Sequence, residues 1–390
     1  MLTEEHLSLY FRRIGFDYQT AHVTNPSLNL LRQIQGQQLV CIPYEDLSLH
    51  WRPVVTVIQS PVTHDVDNNT RPLKKKPEFL SPPFGLATED LFQKLVVDRR
   101  GGYCLELNIL LGEVLHALGF EVVHARAKVI FDYDRTLERL KKETSEGGFS
   151  EEEVRELESF KGVDASGWET HQMLLVGIPS LPSLSSDSNP VLGKRYLVDV
   201  GLAKYSLLDP IELLSEDSED ALNLKTSQGR GVMGKQFRIS RHRRSTIPSV
   251  NDNNDYSNYD DTIRWNLSVR MGNNSQVWFP YYTFLEKEAS FAELMQIHYY
   301  MSRSPTSSSP PEPRATMPLL RPIRHDDAIA ASGDGDGGAT ELIGQVSMQE
   351  LKLTVQRAGS DGPGYFGIEE YKDGTVLVLA GDDQVGADSW

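Results

Sequence analysis

Cys104, His171 and Asp199 are the side chains of this sequence whose types and settings could do covalent chemistry. Cys104 follows Arg99-Arg100-Gly101-Gly102-Tyr103 and opens a stretch with helical apolar spacing. A helix N-terminus offers free N–H groups and a positive partial charge, which favour thiolate over thiol. The two arginines add to that field, and the paired glycines let the backbone turn sharply. His171 stands at the front of an otherwise apolar strand, HQMLLVGI, where an imidazole is an odd choice for packing. Asp199 lies inside YLVDVG. A carboxylate there is costly unless it accepts hydrogen bonds or meets a charge, and a histidine on a neighbouring strand would supply both. Each residue alone has a plainer reading: a core-filling cysteine, a strand-end histidine, an aspartate directed at the turn of Gly201. Together they make nucleophile, base and orienting carboxylate, although chain order cannot establish their geometry.

The elements that must position them are legible in outline. Thr3 is placed to cap a helix carrying Leu7, Tyr10, Phe11 and Ile14 on one face. Ser27 begins a second helix through Leu28, Leu31 and Ile34, and Thr88 a short third one with Leu91, Phe92, Leu95 and Val96. From Cys104, the residues Leu107, Leu110, Leu111, Val114, Leu115 and Leu118 hold the 3.6 period until Gly119. Strands are expected at 120–131, 171–178, 195–201, 265–269, 277–283, 351–355 and 375–379, with a helix from Ser290 through Tyr300. The strands at 171–178 and 195–201 are placed to pair across a Ser/Pro/Asn loop at 180–193. Segments 58–83, 134–168, 241–262, 302–314 and 325–340 read as loops, insertions or linkers, the second with a capped helix from Ser150. Cys41 reads as packed core, and His116 and His124 lack metal-ligand spacing.

Composition narrows the function classes. The 390 residues suffice for two or three packed units without disulfides. A net charge of −16 argues against non-specific nucleic-acid binding and against adhesion to anionic membrane. Two cysteines rule out a disulfide framework and a four-cysteine zinc site. Neither a signal-type N-terminus nor an uninterrupted apolar stretch of membrane-spanning length is seen, so a cytoplasmic, soluble protein is expected.

At these residues the sequence resembles the arylamine N-acetyltransferase family, in a fungal-like form. Arg100-Gly101-Gly102-Tyr103-Cys104-Leu105-Glu106-Leu107-Asn108 is similar to the family's RGGxCxE-N signature. Tyr10–Phe16 (YFRRIGF), Ile42–Leu47 (IPYEDL), His171–Val176 and Tyr196–Gly201 resemble four further family segments in the same order. The resemblance implies an α+β fold: a helical domain at 1–119, a β-rich domain at 120–240 with insertions 134–168 and 180–193, and a linker with a divergent α/β lid at 241–390. It implies a cysteine-protease-like Cys-His-Asp core in which Cys104 carries the acyl group, His171 takes its proton and Asp199 orients His171. Acetyl-CoA or another acyl-CoA is implied as co-substrate and a small aromatic amine or hydrazine as acceptor, with no bound cofactor and no metal. Gly201 and Ser304 are implied on the coenzyme side, Val129 and Leu202 in the acceptor pocket, and Arg13, Glu45, Arg100 and Glu106 in structural support. A monomer or weak homo-oligomer is expected.

Two departures bear on specificity. Where the family usually has Val/Ala-Gly-Phe-Gly after the aspartate, this chain has Val200-Gly201-Leu202-Ala203. The C-terminal third also matches poorly. These leave open a malonyl- or propionyl-CoA donor; a cysteine hydrolase, which the three residues alone do not exclude, and a non-catalytic binding protein are separate rival readings.

Overall fold

Short polar side chains set the helix starts. The Thr3 hydroxyl accepts the His6 N–H (3.2 Å) ahead of α1 (Glu4–Arg13), and Ser27 accepts the Leu30 N–H (3.3 Å) ahead of α2 (Leu28–Cys41). The computed structural model describes residues 2–17, 25–50, 85–130, 169–179, 194–214, 227–232, 235–243, 263–270, 277–303, 314–322, 340–349, 352–358 and 366–371. After α2 come β1 (Tyr44–Glu45), α3 (Leu47–His50) and α4 (Thr88–Phe92), which widens into a π turn over Gln93–Val97. Next is α5 (Cys104–Ala117), which ends near Gly119 at φ +89°, a conformation that suits glycine.

The chain then builds β2 (Glu121–Val129), β3 (His171–Gly177), β4 (Arg195–Val198), β5 (Ile211–Leu213), β6 (Ser227–Arg230), β7 (Gln236–Arg243), β8 (Ile263–Arg270) and β9 (Phe279–Glu288). These form one antiparallel sheet in the order β5-β4-β3-β2-β9-β8-β7-β6. Its ends approach each other: the Leu208 N–H reaches Arg230 O (2.8 Å), and the Val232 N–H reaches Ser206 O (3.1 Å). The sheet therefore curls toward a barrel. α6 (Phe291–Arg303) follows, then β10 (Arg314–Pro322), β11 (Thr340–Gln349), β12 (Lys352–Ala358) and β13 (Phe366–Tyr371), which form a second sheet with β1 at its edge.

β3 is buried on both faces, and its alternation splits two cores. Leu174 and Val176 pack with α1, α2 and the back of α5, while Met173 and Leu175 join the inside of the curled sheet with Leu197, Phe237 and Tyr282. The expected hairpin of the histidine and aspartate strands forms, with Leu174 opposite Val198 and Gly177 opposite Arg195.

Two expectations are corrected. The domain boundary at 240/241 falls inside β7, and the sheet continues through β8 and β9; β9 pairs with β2 near the sheet's middle. A linear reading could not see that Phe279–Glu288 returns to cover β2. For the same reason the linker expected at 241–262 begins later, since residues 241–243 are strand. Cys41 is half-buried and packs against the helical core as expected, its thiol donating to Ile14 O (3.3 Å). The expected loop at 58–83, the insertions at 134–168 and 180–193, the capped helix after Ser150 and the strand at 375–379 lie outside the described residues. Among the described residues, no helix is long and apolar enough to cross a membrane.

Candidate active site

Cys104 is the first residue of α5, and the turn before it is held from two sides. After the π turn, Arg99 adopts φ +56° and reverses the chain. Gly102 donates to Pro43 O (3.1 Å) and accepts the Glu45 N–H (2.9 Å), so β1 clamps the turn. A Cβ on Gly101 would collide with the Pro43 carbonyl, which explains the paired glycines through close approach.

Beneath the turn lies a buried ion cluster. Lys94 is wholly buried, with Nζ 2.8 and 2.7 Å from the two Glu106 oxygens and 3.4 Å from Glu45. Arg100 meets the same Glu45 oxygen at 3.4 Å, and the Glu45 carboxylate also accepts the Leu47 N–H (2.7 Å). Glu106 Oε2 accepts the Tyr103 N–H (3.1 Å), which fixes the residue next to the nucleophile. Burial pushes the Glu106 carboxyl up, and the Lys94 ammonium opposes that shift. A buried charge is tolerable only when paired and hydrogen-bonded in this way. Arg13, from α1, donates to Leu95 O (3.3 Å) on the same π turn.

The three candidate residues converge although they come from three elements. His171 Nε2 lies 2.7 Å from Asp199 Oδ2, and the Cys104 side chain is near enough to the imidazole to help raise its pKa. Asp199 is fully buried and accepts three further hydrogen bonds: from Asn108 Nδ2 (3.0 Å), the Gly201 N–H (2.9 Å) and the Tyr282 hydroxyl (3.2 Å). Asn108 also donates to Gln172 O (2.7 Å) and accepts the Val200 N–H (3.0 Å), joining α5 to both strands. A Cβ on Gly201 would sit 2.5 Å from Cys104 Cα and 2.7 Å from its Cβ, so only glycine lets the loop after Asp199 approach the nucleophile.

The electrostatics follow from that packing. Burial alone pulls the His171 imidazole pKa down, but the charge and hydrogen bond of Asp199, with a smaller contribution from Cys104, raise it to about 10. A folded-state pKa above the unfolded value contributes stability that is complete below about pH 6.5 and lost as pH rises through about 10. We therefore expect unfolding free energy to fall by roughly 3–5 kcal/mol more for the wild type than for His171→Gln between pH 6 and pH 10.5. Parallel denaturation curves for the two proteins across that range would refute the coupling.

Other expected site residues fall in different places. Leu202 is buried inside the curled sheet with Tyr205 and Leu207, and Val129 is 41% exposed at the end of β2, opposite Tyr282. Ser304 lies outside the described residues. Reasoning from sequence gave no role to Lys94, Asn108 or Tyr282. Lys94 carried a signal, since it shares the apolar face of Leu91 and Leu95. Asn108 carried one too, four residues and so one turn beyond Cys104. Tyr282, 83 residues from Asp199, carried none.

Comparison with known proteins gives a consistent result. A family model described as N-acetyltransferase matches residues 79–141. The arylamine N-acetyltransferase of Mycolicibacterium smegmatis is 32% identical over 205 residues, 52% of this chain and 49% of that protein. N-malonyltransferase FDB2 of Gibberella moniliformis is 24% identical over 294 residues, 75% of this chain and 63% of that protein. The chain spans about half or less of the length of the first curated relatives it matches. In fold, the M. smegmatis arylamine N-acetyltransferase structure aligns at TM-score 0.53 with 22% identity, covering 95% of this chain and 86% of that one. Mycobacterium marinum arylamine N-acetyltransferase in complex with CoA aligns at 0.51 with 19% identity, covering 94% and 87%.

Proposed function

We propose that this chain is a member of the arylamine N-acetyltransferase family and an acyl-CoA-dependent N-acyltransferase working through an acyl-cysteine on Cys104. The observation that carries this reading is the meeting of Cys104, His171 and Asp199 at the start of α5. Since His171 Nε2 is engaged by Asp199, Nδ1 is the ring nitrogen left for the thiol. An imidazolium held by a buried carboxylate stabilises a neighbouring sulfur anion.

The reaction runs in two halves. The Cys104 sulfur, its proton already held by His171 as imidazolium, attacks the thioester carbonyl as the thiolate. The bond from that carbonyl to the coenzyme sulfur then breaks, and CoA leaves with the proton. An aromatic amine next attacks the acyl-cysteine. His171 takes the amine's proton, and the Cys104 sulfur recovers it as the amide departs. Gly201 lies where only a backbone without Cβ fits against Cys104, and we assign it to the coenzyme side of the nucleophile. Val129 and Leu202 are the side chains we assign to acceptor selection, and Ser304 to the coenzyme.

Acetyl-CoA is the donor of the first reading. A malonyl donor is the second, favoured by the relative named an N-malonyltransferase, whose similarity runs over 75% of this chain. The test is intact-protein mass after brief mixing with acetyl-, propionyl- or malonyl-CoA, with free CoA measured alongside. One acyl increment, discharged by an arylamine, is expected, and the largest increment identifies the donor. CoA release with no adduct and no dependence on amine would replace transfer by thioester hydrolysis. Silence in both readouts would end the transferase reading.

A further inference from the structure

Tyr103, the residue before the nucleophile, is held from outside its own helix. Its phenol is wholly buried, and its hydroxyl is hydrogen-bonded to Nδ1 of His298 on α6. The two rings are stacked, with centroids 6.0 Å apart and planes 20° from parallel. His298 is itself buried, one turn beyond Leu294, on the face that packs Leu294 and Ile297 against Tyr103, Cys104 and Leu105. Phe291 and Tyr299 are exposed. α6 is thus an amphipathic helix that places a histidine on its apolar face, opposite the only polar atom of the Tyr103 side chain.

Two further restraints act on the same residue. Its N–H donates to Glu106 Oε2 (3.1 Å) and its carbonyl accepts the Leu107 N–H (3.0 Å). Both come from α5 itself. Among the hydrogen bonds of the described residues, the one to His298 ties Tyr103 to the segment that follows the eight-stranded sheet. Burial first, and then the charge of Glu106, push the phenol pKa well above its ordinary value, so the hydroxyl keeps its proton and can donate to Nδ1.

We propose that His298 is a positioning residue: through the Tyr103 hydroxyl it fixes the direction in which the Cys104 sulfur faces His171. This rests on Cys104 being the nucleophile. Tyr103 and Cys104 share one peptide unit, so a rotation of the Tyr103 backbone carries the sulfur with it. Displacement of a reacting atom by about 1 Å can cost on the order of 100-fold in rate.

The test reads Cys104 directly, with no acyl-CoA present, so that its failure is separable from failure of the transferase reading. Second-order rates of Cys104 alkylation by iodoacetamide are measured by peptide mass mapping, which distinguishes Cys104 from Cys41. Melting temperatures are recorded in parallel. Tyr103→Phe and His298→Leu are each expected to slow alkylation about tenfold. His298→Asn, whose amide oxygen can take the place of Nδ1 as acceptor, is expected to recover to within about threefold of wild type. The double variant Tyr103→Phe/His298→Leu should be no slower than the slower single variant, because both remove the same bond. In steady state the loss should fall on kcat, with KM for the acyl donor little changed. Folded single variants that alkylate at the wild-type rate would overturn the proposal. So would losses that multiply in the double variant, or a His298→Asn variant as slow as His298→Leu. If His298→Leu fails to fold, Tyr103→Phe and His298→Asn still decide it.

Discussion

Cys104→Ala is expected to lose the acyl adduct completely and to transfer acyl groups to amine at least about 10⁴-fold more slowly than wild type. The physical basis is that the chain has one other thiol, and its setting does not suit it to take the place of Cys104. The other thiol, Cys41, is half-buried and committed to Ile14 O, and burial raises its pKa further, only partly offset by Arg13. Alanine adds no atom to the crowded contact with Gly201, so the variant should fold with a melting temperature close to that of wild type. Intact mass and steady-state rates measured on one preparation decide the matter. Retention of an acyl increment in Cys104→Ala, or more than about one per cent of the wild-type rate, would remove Cys104 from the mechanism.

Asp199→Asn is expected to cost about 10³–10⁴ in kcat/KM while leaving the outline of the side chain unchanged. All four hydrogen bonds reaching the Asp199 carboxylate are donated to it: by His171, Asn108, the Gly201 N–H and Tyr282. An asparagine has one acceptor oxygen and one donor nitrogen, so two of those donors must face an N–H₂ group. If the amide nitrogen faces His171 and Tyr282, the imidazole must change tautomer to stay bonded. If it faces Asn108 and Gly201, the backbone loop over Cys104 loses its anchor. In either orientation the charge that holds His171 at about pKa 10 is gone, and burial is left to pull the imidazole down. The His171 pKa, followed by NMR, should therefore fall below its ordinary 6.5 in the variant. A loss smaller than tenfold with the His171 titration unmoved would show that Asp199 is a structural carboxylate only.

Much of the local structure was readable because it depends on neighbours in sequence. Thr3 and Ser27 cap the helices they were expected to cap, since a cap needs only an oxygen three residues ahead of an N–H. α5 begins at Cys104 and ends near Gly119 because the leucine spacing and a glycine with φ +89° are local facts. The hairpin of β3 and β4 was legible because two apolar strands a loop apart tend to pair. The boundary at 240/241 was wrong because β9 reaches its place beside β2 from more than 150 residues away, and no local period encodes that pairing.

The same division runs through the site. By itself the sequence determined which residues are chemically able: a cysteine after two glycines at a helix start, a histidine and an aspartate each set in an apolar strand. Those are properties of side-chain type and immediate context, and in ordered motifs they carry the resemblance to the arylamine N-acetyltransferases. Only the tertiary structure decided how the three meet, because the 2.7 Å contact of His171 with Asp199 depends on strand register, and the position of Cys104 depends on Gly201 having no side chain. It alone placed Lys94 between Glu45 and Glu106, Tyr282 against Asp199, and His298 against Tyr103. Each of these is a buried polar group whose partner lies on another element. Burial makes the partner obligatory, but the chain supplies it from wherever the fold happens to bring one.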